Sequence, residues 1–236
     1  MTTRRSLISG RQPDRRSAAE LSPSAVDHVI LAVKEGIREG TLAPGQRLIE
    51  LDLARQLQVS RGSVREGLRR LASDGFLEQR PFSGVSVRKM SRREVIELSE
   101  IREILEGLAA SLAAQRLTRA RAQAFAELER KSGGKSATAP EHHSLYNKLF
   151  HGFIMEASEQ NHLPLFLERT QLEIIRLQFQ RVLLSQKAIT RSRGEHAAIF
   201  EAIVDRDPKR AERAMRLHIQ NSTKFILEAP DHLFLS

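Results

Sequence analysis

From residue 91 onwards, the apolar residues recur every three or four positions almost to the C-terminus. This period is that of a helix with one buried face, and no stretch of the region alternates as a strand would. Ser91 and Glu94 have capping-box spacing, and Asp207-Pro208 is a typical helix start. We expect helices at about 91–115, 118–131, 140–158, 162–184, 191–207 and 208–228. Residues 91–236 therefore predict an all-α helical bundle.

The preceding region has a different pattern. A helix beginning at Ser24 is predicted to end at "EGTLAPGQ", and a short second helix follows. Ser60 is a good N-cap for a third helix, and "FLEQRPFSGVSVRK" predicts a β-hairpin. Three helices and a hairpin form a winged helix-turn-helix with a small β-hairpin wing. We therefore predict a mainly α protein with three parts: a flexible basic arm (1–23), a winged helix-turn-helix domain (24–90) and an all-helical domain (91–236) for effector binding, metal binding and dimerisation.

The basic charge is concentrated in the first part of the chain. The first 90 residues hold 16 of the 38 Lys and Arg but only 10 of the 29 Asp and Glu. A local basic excess favours a polyanionic partner, nucleic acid first. The chain has no cysteine, which excludes disulfides and thiolate sites. No apolar run approaches the roughly 20 residues that cross a bilayer, so we expect a cytoplasmic protein without membrane contact.

The third helix of the first domain, "SRGSVREGLRRL", carries the residues expected to read DNA. Its apolar side faces inward, and three arginines spaced four apart lie on its other side. A guanidinium can bind guanine O6 and N7, or a phosphate, and hydroxyls at a helix start can bind phosphate. A merely solvated arginine-rich face is the alternative. The predicted DNA-contacting residues are Ser60, Arg61, Ser63, Arg65, Arg69 and, at the hairpin tip, Gly84.

Three helices of the second domain each place a histidine on or beside their apolar face: His151, His196 and His218. Asn147 lies one turn before His151 on the same face. A single such histidine is usually a hydrogen-bonded core residue. Three of them, with a paired amide, favour a site for a divalent ion such as Zn²⁺ or Ni²⁺ inside the bundle.

Arg102 falls within the apolar stripe of the first long helix. A buried arginine needs an anionic partner. Two interpretations are open: an internal ion pair, for example with a glutamate of another helix, or a binding residue for a carboxylate ligand.

The first domain resembles the winged-helix domain of the GntR superfamily of bacterial transcription regulators. The resemblance rests on "G-x-L-x-P-G", "LA-x-x-L-x-V-S-R", "V-R-E-x-L-x-x-L-x-x-x-G" and the wing glycine. It implies DNA contacts at Ser60, Arg61, Ser63, Arg65, Ser83 and Gly84. Gly62-Ser63 replaces a frequent Thr-Pro, which bears on the local rigidity of the helix. Leu51 stands where fatty-acid-responsive members carry a base-reading arginine, so their operator is not carried over to this chain.

The second domain resembles the FCD domain of the FadR-like branch, in "EIREILEGLAASLAA", "NKLFHGFIMEASEQNHL" and "EHAAIFEAIVDRDPKRAERAMRLHI". Many members bind a divalent metal through an Asp and three His. The four matching positions here are Asn147, His151, His196 and His218. The resemblance also implies a bound carboxylate, held in part by an arginine at Arg102. An amide in place of the carboxylate at Asn147 predicts weaker metal binding. The other five histidines, among them His143, are expected on the surface.

Three functions remain open from the sequence. The leading one is a dimeric transcription regulator, not an enzyme, that represses by binding a palindromic double-stranded operator and responds to a small organic acid at the metal site. The second is a regulator for which the ion itself is the signal. The third is a metal-dependent hydrolase, which would need a general base close to the ion. Glu195 neighbours His196 in sequence but points to another side of the helix.

Overall fold

A computed structural model describes residues 24–80, 84–132, 139–169 and 172–235. The predicted basic arm, residues 1–23, lies outside these ranges. The N-terminal elements are α1 (Ala25–Glu39), β1 (Arg47–Leu48), α2 (Glu50–Leu57), α3 (Arg61–Ser73), β2 (Leu77–Arg80) and β3 (Gly84–Val87). The three strands form an antiparallel sheet in the order β1-β3-β2. This is the predicted winged helix-turn-helix.

The remaining elements are helical. They are α4 (Arg92–Arg116), α5 (Arg119–Ser132), α6 (Pro140–Ala157), α7 (Leu163–Arg169), α8 (Leu172–Gln178), α9 (Gln180–Leu183), α10 (Gln186–Val204) and α11 (Pro208–Leu227), followed by a 3-10 turn (Asp231–Leu233). Helix α4 packs along α11, which in turn packs on α10. The mainly α fold with a helical C-terminal bundle is confirmed. No helix in the described part of the chain is long and apolar enough to span a membrane.

Local signals set several helix boundaries. Ser24 and Ser91 each form a capping box at the start of α1 and α4, and the Ser60 hydroxyl accepts from the backbone N–H of Ser63 at the start of α3. Gly40 ends α1 in the left-handed conformation, with φ of 74°. The Ser60 cap fixes where α3 begins and therefore which residues lie in its first turn.

The protein has two hydrophobic cores, and their boundary does not coincide with the boundary between the two domains in the sequence. One is the bundle core around α4, α6, α10 and α11. The other is the core of the winged helix-turn-helix, and it also takes in Ile174, Ile175 and Phe179 from α8 and its C-terminal end, and Phe234 near the C-terminus. Helix α8 is thus packed into the winged helix-turn-helix, although it lies between bundle helices in the sequence.

This division explains an incorrect prediction. The stretch 162–184 was expected to be one helix, but the structure has three short ones, α7, α8 and α9. Leu163 belongs to the bundle core, whereas Ile174 and Phe179 belong to the other core. One straight helix cannot bury its apolar residues in both cores. The two-residue strand β1, which pairs Arg47 with Ser86, was also absent from the sequence prediction.

Candidate metal centre and nucleic-acid interface

The first turn of α3 presents the two predicted serine contacts. The Ser60 hydroxyl accepts from the Ser63 backbone N–H at 3.1 Å, and the two hydroxyls lie 2.9 Å apart. The positive end of the helix dipole lies at the same place. A phosphate oxygen would therefore meet two hydroxyls and a helix N-terminus at this turn.

The three arginines of this face differ in their surroundings. Arg61 is exposed and has no ion pair with a described residue. Arg65 donates two hydrogen bonds to Glu50 of α2, at 3.0 and 3.2 Å, and Arg69 donates two to Glu66, both at 2.9 Å. Their side chains are 68% and 70% exposed, so solvent screens these pairs and they add little to stability. Glu50 and Glu66 therefore orient Arg65 and Arg69 but leave their guanidinium groups accessible to DNA.

The wing is built around Gly84. Its φ of 80° favours glycine, because a side chain is strained in the left-handed region. A Cβ at Gly84 would lie 3.5 Å from the Arg47 guanidinium, so the arginine of β1 lies beside the start of β3. The predicted contact at Ser83 lies outside the described residues.

The three core histidines of the bundle come together. The possible ligand atoms of His151, His196 and His218 all lie within 4.8 Å of one another, and all three residues are buried. The Nε2 atoms of His196 and His218 are 3.3 Å apart. Two imidazole nitrogens that bind one ion, each at about 2.0–2.1 Å, can adopt this separation.

Two carboxylates orient these rings from behind. Glu106 lies 2.6 Å from His151 Nδ1, and Glu195 lies 2.8 Å from His218 Nδ1. Glu195 also accepts from the side-chain amide of Asn221 at 2.8 Å. A carboxylate on one ring nitrogen holds the proton there and leaves the lone pair on the other, as behind many protein-bound metals. The donor set therefore fits a divalent ion.

Burial keeps the imidazoles of His151 and His196 neutral. It lowers the pKa of His151 to about 4, although Glu106 acts in the opposite direction, and it lowers the pKa of His196 well below the usual value. The neutral form is the one that can bind a metal. Burial opposes ionisation of Glu106, but the hydrogen-bonded His151 and the guanidinium of Arg102 hold the pKa of that carboxyl below its ordinary value.

His143 is not on the surface, contrary to the sequence prediction. It is only 4% exposed, its ring lies 6.3 Å from that of His196, and burial lowers its pKa to about 4. Its Nδ1, like that of His196, is buried without a hydrogen-bond partner among the described residues. His143, Asn147 and His151 are spaced four apart on α6. This spacing was visible in the sequence and could have identified His143.

Arg102 is buried in an ion pair on its own helix. Its Nε and Nη2 donate to one oxygen of Glu106, at 3.2 and 3.0 Å, and the other oxygen of Glu106 contacts His151. The expected buried ion pair is therefore present, with a partner one turn along α4 instead of on another helix. It connects the arginine to the histidine cluster.

A cavity of about 1750 Å³ opens beside the cluster. Its wall includes His151, His218, Asn147 and Arg102, and also Phe76 of the winged helix-turn-helix. Asn147 is half-buried and has no hydrogen bond to a described residue. The histidine cluster can therefore be reached from a cavity that touches both domains.

Family comparisons agree with both halves of this structure. The model for "Bacterial regulatory proteins, gntR family" matches residues 25–87, and the FCD domain model matches residues 97–221. The second match alone covers more than half of the chain.

Individual relatives have the same character. The chain is 27% identical over 199 residues to the uncharacterized HTH-type transcriptional regulator YdhC of Bacillus subtilis, covering 82% of this chain and 87% of the relative. It is 29% identical over 205 residues to the HTH-type transcriptional regulator LutR of B. subtilis, covering 78% and 93%. The solved structure of E. coli McbR/YncC has the same fold, with a TM-score of 0.68 at 24% identity over 87% of this chain and 98% of that one. The protein belongs to the GntR family of bacterial regulatory proteins and is a DNA-binding transcriptional regulator with an FCD domain.

Proposed function

We propose that the protein is a homodimeric repressor whose affinity for a palindromic operator is controlled by a small carboxylate bound at a divalent-metal site in the FCD domain. The observation that carries this proposal is the cluster of three buried histidines, two of them held by carboxylates, beside a large cavity. A protein that occupies promoter DNA excludes the polymerase, so repression is the simplest outcome of binding. We expect it in the cytoplasm, with the chromosome.

His151, His196 and His218 would hold the ion, and Asn147 would approach it from the cavity wall. Imidazole ligands favour Zn²⁺ or Ni²⁺. When bound, the ion supplies positive charge and a coordination position for an acid. The protein contributes the three imidazoles, the carboxylates behind two of them and the adjoining cavity.

A link between the cavity and the DNA-binding domain supports control by a ligand. Lys34 of α1 and Glu173 of α8 form an ion pair at 3.0 Å, and both line the cavity. Ile174 and Ile175 of the same short helix belong to the core of the winged helix-turn-helix. A ligand that shifts α8 therefore also changes a surface on which α1 rests, which gives the two domains a physical connection.

An exposed apolar stripe on α4 supports the dimer. Ile101, Ile104 and Leu108 lie on one face and are 51%, 50% and 43% exposed. Three large apolar side chains at helical spacing favour an interface over open solvent. Two-fold symmetry of the dimer would place two recognition helices on a palindromic site.

Binding to DNA selected from a random-sequence pool tests the operator proposal. Arg61→Ala should weaken binding at least tenfold and leave the melting temperature unchanged, because Arg61 is exposed and forms no ion pair with a described residue. The matched control is Arg130→Ala, an exposed arginine of α5 that pairs with Glu127. Binding of the wild type should weaken steeply with salt. If Arg61→Ala binds the selected DNA as tightly as the wild type does, another face of the protein reads the operator.

Metal titration separates the proposal from its alternative. The effect of Zn²⁺ or Ni²⁺ on DNA affinity is measured with and without small acids. A change in DNA affinity that occurs only when the acid is present supports control by a carboxylate. The same change with the metal ion alone would show that the ion is the signal. A hydrolase has little support, because the matched families and relatives are regulators. In addition, Glu195 is already hydrogen-bonded to His218 and Asn221.

A further inference from the structure

The arginines of the large cavity are not equivalent. Four arginines of the described chain line it, and three of these have a carboxylate partner: Arg38 with Glu35, Arg102 with Glu106, and Arg191 with Glu195. Arg176 of α8 is the fourth. It has no hydrogen bond or ion pair with any residue that the structure describes.

Arg176 is placed where an unpaired charge is costly. Its side chain is half-buried, and burial together with the nearby charge of Arg102 lowers the pKa of Arg176 to about 10. Glu106 and Glu173 attract it, but neither forms an ion pair with it. A partly desolvated guanidinium beside a second one is stabilised by any anion that reaches it. The cavity wall therefore holds a guanidinium that has no carboxylate partner among the described residues.

Arg102 is much less available to a ligand. Its Nε and Nη2, which form one bidentate edge of the guanidinium, are occupied by Glu106. Glu106 in turn contacts Nδ1 of His151. Removing Arg102 would disturb Glu106 and, through it, the imidazole of His151. The structure therefore assigns Arg102 mainly to positioning His151.

We infer that Arg176, on the α8 wall of the cavity, is the principal residue that binds the effector's carboxylate, and that Arg102 holds Glu106 and His151 in place. This inference rests on the proposed function and names the protein group that recognises the acid. A planar guanidinium binds a carboxylate through two parallel hydrogen bonds and has no acceptor for the N–H of an amide. The ligand selected is therefore an acid and not its neutral amide.

The position of Arg176 also gives the acid access to the DNA-binding domain. Arg176 directly follows Ile175, which is buried in the core of the winged helix-turn-helix. An acid held by Arg176 thus acts on the helix that contacts both the cavity and that core.

The test measures two quantities, acid binding and Zn²⁺ content, in the full-length, Zn²⁺-loaded protein and in three variants of it. The probes are acetate, glycolate, malonate and succinate, each paired with its amide, and binding is read as thermal stabilisation and by calorimetry. Arg176→Gln should weaken acid binding at least tenfold and keep its Zn²⁺, whereas Arg102→Gln should lose Zn²⁺ affinity. Lys148→Gln removes an exposed positive charge from the same cavity wall and is the matched control, with binding as in wild type.

Each outcome decides the inference. Acid binding to Arg176→Gln at wild-type strength, with Zn²⁺ retained, would overturn it while leaving the proposed function intact. Absence of acid binding to the wild type would remove the proposed carboxylate control and this inference together. If Arg176→Gln unfolds, Arg176→Lys preserves the charge without the planar geometry. Weaker binding of acids by Arg176→Lys supports the inference, and unchanged binding refutes it.

Discussion

Glu106 offers the sharpest test of how the bundle organises its histidines. Its carboxylate is 1% exposed and joins Arg102, 6% exposed, to His151. Glu106→Leu keeps a similar volume but leaves a buried guanidinium without its partner. Removal of one member of a buried pair costs about 3–5 kcal/mol, and solvent screening is negligible at this burial. For a chain of this size that corresponds to a melting temperature about 6–20 °C lower.

A second variant separates stability from metal binding. Arg102→Met with Glu106→Leu removes both charges, and apolar replacement of a buried pair is often neutral. Stability should therefore return to within about 1–3 kcal/mol of wild type, the remainder being the unpaired Nδ1 of His151. Zn²⁺ affinity should stay about 10- to 100-fold weaker in both variants, because the carboxylate behind His151 is gone.

The assays are urea unfolding of the metal-free protein and Zn²⁺ competition with a chelating dye. Wild-type stability of Glu106→Leu would show that Arg102 does not depend on Glu106. Recovery of Zn²⁺ affinity in the double variant would show that Glu106 does not orient His151.

Three further changes test other parts of the molecule. Asn147→Asp should tighten Zn²⁺ binding in calorimetry, and unchanged affinity would show that Asn147 is not a ligand. Gly67→Ala should destabilise by about 1–3 kcal/mol in urea, since its Cβ would lie 2.7 Å from Val29. Gly62→Ala is its control and should be neutral or slightly stabilising, because the one described neighbour of the added Cβ is the Ser60 hydroxyl, at an ordinary contact distance of 3.7 Å. Ile104→Glu should convert a dimer to monomers in sedimentation, and an unchanged mass would place the interface elsewhere.

Helix α3 shows how far local signals reach. The N-cap at Ser60 and the four-residue spacing of Arg61, Arg65 and Arg69 are properties of a short segment, and the structure has this helix starting at Arg61 with Ser60 as its cap. The acidic partners of two of these arginines are only partly local. Glu66 lies three residues from Arg69, but Glu50 reaches Arg65 from the preceding helix.

The histidine cluster shows where local signals stop. That His151, His196 and His218 face inward followed from helical periodicity, and each face depends only on spacing within one helix. His143 was missed because it was considered alone, although it shares its face of α6 with Asn147 and His151. The roles of Glu106 and Glu195 were not visible, because each orients a histidine of another helix, 45 or 23 positions away.

The sequence by itself determined the order and type of most elements, the caps, the family and the set of inward-facing histidines. These depend on interactions within a few residues or on motifs of fixed spacing. The tertiary structure decided which carboxylate lies behind each imidazole, that Arg102 is paired while Arg176 is free of partners in the described chain, and that α8 packs into the DNA-binding domain. Helical periodicity tells which face is buried, but only the packing of distant helices decides what that face meets.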